Sequence, residues 1–542
     1  MRIRASICPG CSIGCGLYLV ESEEGEGERK LNVLHRKVAP MNEGKLCKFG
    51  MNLPAYYDKE ALHNSVDGTD VTQEEAIKEA KKRLSGMKPD ELAFIALPST
   101  ITNEEIDSFL SLASKFGGDN LSFGFERFFR RIPEEAFYVL EKGLPFTEIE
   151  GASKIVLFFI DPFVHYPLLA RRVLKAKDNG AHVIEVSFSK NEREIADESI
   201  VVEPTDVGGL KEKKEIFEDS LIIGELTPYT NPQLLSLMLW LQSATSSRLL
   251  LLKPFLNATG AFLLGGGGKG SDKRKDLFEI LDRIERGEIK GLYLLETDLA
   301  GTLVCGGEVA KTLTNLDVLI EQNAFRTPLS EIANITLGSE PFFMKKGTIV
   351  NIEGRVLELG GDSANGLQIV ERMGLGRSYE EVHEAVKNRL GLGRSEPNEF
   401  KIAVTREEKK FGVAFLTDFI EAFLSLLGLE EEKGGAEENE YVLWYKTNPF
   451  FWTGTLDKQF VEISSAAMRA LGLFSGDEVE LVHGDRKEKT GFKISDLPGY
   501  LILSEDKLAI QPVGERWIES HRRAILANVS MKRTKPSSTT DE

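Results

Sequence analysis

Apolar and polar positions follow two different rhythms along this chain. From about residue 70 to 390, stretches with apolar positions every three or four residues alternate with short apolar runs. The helical spacing predicts helices over 73–85, 103–115, 166–177, 275–286 and 379–390. The intervening runs predict buried strands over 92–97, 155–160, 182–186, 249–252, 291–295 and 318–320. Strands alternating with helices argue for parallel sheets covered on both faces, and two α/β domains fit this length better than one. After a charged, Gly-containing stretch at 430–440, read as a linker, the pattern changes to short strands at 441–445, 460–463, 478–482, 490–494 and 499–502. These predict an all-β, barrel-like domain. Near the N-terminus, 16–20 and 30–35 read as a hairpin around a Glu- and Gly-rich turn at 21–28. The polar end, 531–542, reads as disordered.

Composition narrows the function classes. The 542 residues carry 42% hydrophobic and 28% charged side chains, ordinary for a globular chain with several cores. A net charge of −18 argues against general nucleic-acid binding, which wants a basic face. The most apolar segment, 234–252, is interrupted by Gln242, Ser243, Ser246, Ser247 and Arg248, so no direct membrane insertion is expected. The start, Met1-Arg2-Ile3-Arg4-Ala5, has no apolar leader core. The expected location is cytoplasmic, or peripheral to a membrane complex.

Four of the five cysteines stand in the first 47 residues: Cys8, Cys11, Cys15 and Cys47, spaced C-x2-C-x3-C-x31-C. Four thiolates can hold an iron–sulfur cluster. A structural zinc site also takes four, usually as two short C-x2-4-C pairs, whereas here three come from one turn and one from afar. Disulfides are the third reading, disfavoured if the compartment is reducing. The 16–35 hairpin returns the chain and explains how Cys47 reaches the other three.

Cys8-Pro9-Gly10-Cys11-Ser12-Ile13-Gly14-Cys15 and Asn42-Glu43-Gly44-Lys45-Leu46-Cys47-Lys48-Phe49-Gly50 resemble the paired signatures CPxCxxGC and NxGxLCxKG of the molybdopterin oxidoreductase superfamily. Within it the chain looks most like formate dehydrogenase alpha subunits. The large iron–sulfur subunit of respiratory complex I and the corresponding chain of formylmethanofuran dehydrogenase are relatives. Further segments are similar: Thr102-Asn103-Glu104-Glu105, Asp161-Pro162 through Arg172, Pro204-Thr205-Asp206, Glu321 through Thr327, Lys346 through Arg355, Trp452-Thr453-Gly454-Thr455, and Leu471 through Val479.

The resemblance implies an α/β fold with a small N-terminal iron–sulfur domain (1–55). Two interleaved doubly wound α/β domains would follow, one of 56–145 with 311–395 and one, pterin-dinucleotide-binding-like, of 146–310. A linker and helix (396–440), a six-stranded β-barrel domain (441–528) and a disordered tail (529–542) would complete it. It implies a [4Fe–4S] cluster on Cys8, Cys11, Cys15 and Cys47, and a molybdopterin guanine dinucleotide carrying Mo or W, contacted by Lys48, Asp161, Thr205 and Asp206. Partners would be redox subunits carrying iron–sulfur clusters or flavin.

The chain departs from the family in places. The family's relay lysine stands two residues after the last cysteine; here Lys48 stands one after it and Phe49 takes that place. Catalytic relatives present cysteine or selenocysteine to the metal after the TNEE helix. Here that stretch, Asn120 to Arg131, has neither thiol nor histidine, with Ser122 and Glu126 as its oxygen donors and Phe128 and Phe129 near the ligand's place. Cys305 reads as a small buried residue, and Gly265 to Gly270 as a flexible loop without Walker spacing. An electron-transfer subunit without metal chemistry of its own, an active Mo/W oxidoreductase acting on formate or a similar small substrate, and a storage or chaperone-like pterin binder all remain open.

Overall fold

The computed structural model describes residues 2–24, 28–117, 119–124, 143–190, 195–226, 232–245, 247–253, 255–265, 277–302, 306–392, 440–445, 460–483, 486–499, 501–504 and 526–534. The chain divides into two compact units, Met1–Glu148 with Tyr166–Leu169 and Leu252–Glu407, and Ile149–His165 with Ala170–Leu251 and Glu408–Glu542.

The first unit begins with an antiparallel sheet of β1 (Arg2–Ile7), β2 (Gly16–Glu24) and β3 (Glu28–His35). The Glu-rich segment read as a turn is largely strand: β2 runs on to Glu24 and pairs with β3 in register from Leu17↔His35 to Glu24↔Glu28. Cross-strand pairing satisfies backbone groups that a longer turn would leave to water. Two short helices follow, α1 (Lys48–Met51) and α2 (Leu53–Tyr57).

Next come β4 (Ser65–Val66), β5 (Thr69–Asp70), α3 (Gln73–Ser85), β6 (Leu92–Ala96), α4 (Asn103–Lys115) and β7 (Asn120–Ser122). Helices α3 and α4 start where the sequence predicts, because Thr72 with Glu75 and Thr102 with Glu105 form capping boxes.

The second unit supplies β8 (Lys154–Phe158), α5 (Pro167–Asp178), β9 (His182–Ser187), β10 (Glu198–Val201), β11 (Leu221–Glu225), α6 (Pro232–Ala244) and β12 (Arg248–Leu252). The apolar segment 234–252 is thus a helix followed by a strand. Among the described residues no helix is long and apolar enough to cross a membrane. The five strands form one sheet in the order β10-β9-β8-β11-β12. The first strand, β8, sits centrally and the connections diverge on its two sides, so the switch point lies between β8 and β11.

The chain rejoins the first unit at Leu252, well before the return expected near residue 311. It continues through α7 (Ala258–Gly265), α8 (Leu277–Glu285), β13 (Gly291–Leu295), α9 (Gly306–Leu313), β14 (Val318–Asn323) and β15 (Ile335–Gly338). The reason is strand pairing: β13 lies parallel between β6 and β14, from Gly291↔Leu92 and Gly291↔Val318 onward. The seven-stranded order is β5-β4-β15-β14-β13-β6-β7, with its switch point between β6 and β13. Strands β6, β13 and β14 are buried along their whole length, as expected of parallel strands covered on both faces. A hairpin of β16 (Lys346–Val350) and β17 (Val356–Gly360), then α10 (Asn365–Arg372) and α11 (Tyr379–Arg389), end the described part of this unit.

In the second unit's C-terminal part, β18 (Glu440–Tyr445), β19 (Phe460–Ser464), α12 (Ser465–Ala470), β20 (Glu478–His483), β21 (Arg486–Ser495), β22 (Leu501–Ser504) and β23 (Leu526–Thr534) follow. The six strands close as β18-β22-β19-β21-β20-β23. Residues 529–534 are therefore strand, not tail. β23 pairs with both β18 and β20, occupying what would otherwise be two open edges. Met531 is buried while Lys532 is exposed, the strand alternation hidden in a segment that reads as polar. Residues 396–439 and 535–542, with their expected linker and tail, lie outside the described residues.

Met531→Ala is expected to destabilise the barrel by about 2–5 kcal/mol through the cavity it leaves, and Lys532→Ala by no more than ~0.5 kcal/mol. Thermal unfolding of the two variants measures the difference; equal melting temperatures would make the C-terminal segment a tail after all.

Candidate functional site

The four cysteines are brought together. Cys8 ends the strand pair β1–β2: its amide donates to the Cys15 carbonyl at 2.8 Å. Cys11 and Cys15 flank a tight loop in which the Gly14 amide donates to the Cys11 carbonyl at 3.4 Å. Gly14 has φ +68°, and a side chain there would press on Leu256, Leu357 and Asn351, so both conformation and space demand glycine. Cys47 is the N-cap of α1.

Asn42 couples the far cysteine to the near ones. Its carboxamide accepts from the Gly16 amide at 3.0 Å and donates to the Gly16 carbonyl at 3.0 Å and the Lys45 carbonyl at 2.7 Å. Gly16 follows Cys15 and Lys45 precedes Cys47 by two, so one buried side chain ties the two halves. The left-handed Glu43 and Gly44 (φ +49° and +75°) turn the chain between them.

A second clamp comes from far along the sequence. The turn of the β16–β17 hairpin is organised by Asn351, whose Oδ1 accepts from the Glu353 and Arg355 amides at 3.1 and 3.0 Å. Its Nδ2 donates to the Ile13 carbonyl at 2.9 Å, and the Ile352 amide donates to the Ser12 carbonyl at 2.9 Å. Both contacts hold the loop between Cys11 and Cys15. The hairpin is held in turn by α4: Glu104 accepts from the Thr348 amide at 2.8 Å and hydroxyl at 3.0 Å, and from His383 Nδ1 at 2.8 Å. The hydrogen bond and the carboxylate raise the His383 pKa.

The donor set fits an iron–sulfur cluster. None of the four cysteines is in a disulfide; Cys8 and Cys15 are buried, Cys11 and Cys47 partly exposed. Burial, followed by the charges of neighbouring cysteines, pushes the Cys8 and Cys15 thiols well up and Cys11 up to about 12. Thiols that burden one another this way deprotonate together only around a positively charged core. Among the described residues no three His, Cys, Asp or Glu side chains are grouped to hold a single metal ion. The Ser12 hydroxyl is buried with no hydrogen-bond partner among the described residues, a donor beside Cys11 available to an acceptor from outside the chain.

The residues expected to meet a pterin are spread out. Lys48 opens α1 and is exposed. Phe49, in the family's lysine position, is buried; its ring covers Gly10, where any side chain would collide with it, and meets Tyr56 edge-on at 5.6 Å. In the second unit, Asp161 follows β8 at the switch point, where Oδ1 accepts from the Phe163 amide at 2.9 Å and starts a helical turn. Thr205 and Asp206 lie in a 3-10 helix, Pro204–Lys211, beyond β10, and β9 separates that strand from β8. Asp161 and the Thr205–Asp206 pair are thus not neighbours in the sheet.

Of the loop expected to carry the metal ligand, Ser122 is buried and accepts from the Gly124 amide at 3.0 Å, and Phe123 is buried against Gly265. Glu126, Phe128 and Phe129, Cys305, the glycines from Gly266 on, and Trp452 to Thr455 lie outside the described residues.

Sequence reasoning missed a buried charged group. Lys345 donates to both oxygens of Glu105, at 2.8 and 3.1 Å, and lies 3.2 Å from Glu296. The only sequence signal was the Lys345-Lys346 doublet before the glycine; nothing in it says which lysine is inside.

Asn351→Ala removes three hydrogen bonds, two of them buried, and is expected to cost about 2–4 kcal/mol and lower iron retention. Asn351→Asp keeps the two accepted bonds but loses the donor to Ile13, and should fall between. Thermal unfolding and iron per chain after anaerobic reconstitution check this; full iron retention in Asn351→Ala contradicts the clamp.

Parts of the chain are similar to known proteins. Residues 1–59 match the molybdopterin oxidoreductase Fe4S4 domain. The chain is 36% identical over 85 residues to the NADPH-Fe(3+) oxidoreductase subunit alpha of Geobacter sulfurreducens, covering 16% of this chain and 10% of that one. It is 27% identical over 197 residues to the F420-dependent formate dehydrogenase subunit alpha of Methanocaldococcus jannaschii, covering 34% and 28%. The matches thus span about a tenth to just over a quarter of these curated relatives. The fold is similar to that of acetylene hydratase from Pelobacter acetylenicus, with a TM-score of 0.61 and 12% identity over 98% of this chain and 100% of that one. Residues 1–59 thus carry the molybdopterin oxidoreductase Fe4S4 domain, and part of the chain is similar to formate dehydrogenase alpha subunits.

Proposed function

We propose that Cys8, Cys11, Cys15 and Cys47 hold the [4Fe–4S] cluster, and that the chain is an iron–sulfur electron-transfer subunit of a formate dehydrogenase alpha-like complex. The observation that carries this reading is the convergence of four thiols that share one electrostatic environment and are clamped by Asn42 and Asn351. When bound, the cluster supplies one-electron chemistry. The chain's part is to hold the thiolates, to shield them with Phe49, and to leave Cys11 and Cys47 near solvent for exchange with a partner. On this reading no side chain acts as acid or base on a substrate. The absence of a Cys, or of a residue in selenocysteine's place, from the 120–131 sequence supports a body without metal chemistry of its own.

We assign the two α/β units and the six-stranded barrel to the family's pterin-binding body, with the barrel corresponding to its dinucleotide-binding domain. Partners would be redox subunits with iron–sulfur clusters or flavin, as the alpha-subunit names of the relatives suggest, in the cytoplasm. A second reading, an active Mo/W enzyme acting on formate or a similar small substrate, is favoured by one observation. A doubly wound sheet retains its switch point beside Asp161, where such sheets bind dinucleotides.

Elemental analysis of anaerobically purified protein from a metal-replete native host separates the two. About four iron per chain with neither molybdenum nor tungsten is expected; stoichiometric Mo or W with released guanine nucleotide would establish the second reading instead. Cys11→Ser is expected to abolish the low-temperature paramagnetic signal of the reduced cluster, and survival of an unaltered signal would refute the ligand assignment.

A further inference from the structure

At the switch point of the seven-stranded sheet, the carboxyl ends of β6 and β13 face a group of buried charges. Glu105, at the start of α4, accepts from the Thr102 amide at 2.8 Å and from Lys345 Nζ at 2.8 and 3.1 Å. Glu296, just beyond β13 with φ +46°, accepts from the Ser339 hydroxyl and lies 3.2 Å from the same Nζ. Glu340 accepts from the Gly366 amide at 2.7 Å. The Lys345 side chain is 1% exposed, and those of Glu105 and Glu296 are 3% each.

Two carboxylates, Glu105 and Glu296, therefore share one ammonium in the interior, with Glu340 near them. Positive charge nearby comes from Lys59, whose Nζ lies 4.5 Å from the Tyr56 ring centroid, and from protonated His383 beside Glu104. Glu321 on β14 is bonded to Thr327 and Ser330, with Asp298 near it; Glu104 is engaged by Thr348 and His383; Tyr293 and Tyr56 are phenols. Like charges in one dry site do not all ionise, so such a group holds a proton readily and releases it readily. Burial, opposed by Lys345, pushes Glu105 up to about 7, and Glu296 is raised for the same reason.

Aromatic packing leads from this group towards the thiol site: Tyr57 meets Phe343, two residues before Lys345, at 4.7 Å and Tyr56 at 5.1 Å. Tyr56 lies within the fields of Cys8, Glu296 and Lys345 at once, and its ring meets Phe49, which covers Gly10 between Cys8 and Cys11.

We propose that the Glu105–Lys345–Glu296 group is a proton-binding site coupled to one-electron reduction at the four-cysteine centre. As one electron arrives from a low-potential one-electron donor, one of these carboxylate oxygens takes up one proton from solvent. It returns that proton when the electron leaves. The added negative charge raises the carboxylate's proton affinity, so the centre's midpoint potential falls as pH rises between the proton affinities of the oxidised and reduced states.

The inference rests on the cluster reading, and the test keeps the two apart. The full chain, loaded anaerobically and assayed for iron, is titrated with dithionite while the reduced-state paramagnetic signal is followed from about pH 6 to 9. A reduced state that binds the proton about fivefold more tightly gives a total midpoint shift of about 40 mV, at 59 mV per tenfold for a one-electron couple. Glu105→Gln and Glu296→Gln are expected to flatten that dependence while retaining iron. A chain without iron refutes the cluster reading. A loaded wild-type chain with a pH-independent potential, or variants that keep the full slope, overturns the proton site alone. If neither variant loads, proton uptake by the wild type on reduction, read with an indicator in weak buffer, decides: no uptake overturns the proposal.

Discussion

The first unit depends on how the loop between Cys11 and Cys15 is held from outside its own sequence. A loop of this size cannot bury its carbonyls against itself, and unmet buried carbonyls cost about 1–3 kcal/mol each. Asn351 and the Ile352 amide meet two of them, at Ile13 and Ser12. Those donors are in place because Asn351 also closes the β16–β17 turn, and the hairpin is in place because Glu104 grips Thr348. The hairpin edge packs against the N-terminal sheet as well. A side chain at Gly360 would collide with Ala5, and Arg4 bonds Asp362 at 2.7 Å. The cysteine site is therefore built by the sheet unit as much as by the first fifty-odd residues.

This dependence makes sense of the acidic start of α4. Glu104 and Glu105 would ordinarily stay at the surface of a helix N-terminus, where the dipole favours them. Here both are buried and they hold different elements. Glu104 anchors the hairpin, and Glu105 takes Lys345. Burying several charges is costly, and hydrophobic replacements are often more stable. Two carboxylates retained around one buried ammonium are better understood as electrostatic tuning than as stabilisation.

The departure at the relay position fits the same picture. Where the resemblance would place a lysine, Phe49 packs over Gly10 and against Tyr56, so an apolar ring covers one side of the cysteine loop. Lys48 carries the charge of this segment at an exposed position instead. The buried positive charge that acts on the intervening Tyr56 is that of Lys345, contributed from a segment nearly three hundred residues later.

Helices and strands with strong local signals were legible from the sequence. The capping boxes at Thr72 and Thr102 set helix starts without tertiary help, and apolar runs such as 291–295 marked buried strands. The thiol site was legible because cysteine is rare here and its spacing is specific. Strand partners were not: β13 joined β6 rather than the preceding sheet, a choice made by non-local pairing. Nor was β23, whose Lys and Arg positions look like a tail until one face is buried in a closed barrel. The asparagine clamps and the Glu105–Lys345–Glu296 group were invisible as such, since burial of a polar side chain depends on partners distant in sequence. Residue type and spacing by themselves determined the local elements and the four thiols. Only the tertiary structure decided which polar groups left water, because that balance is struck between elements and not within them.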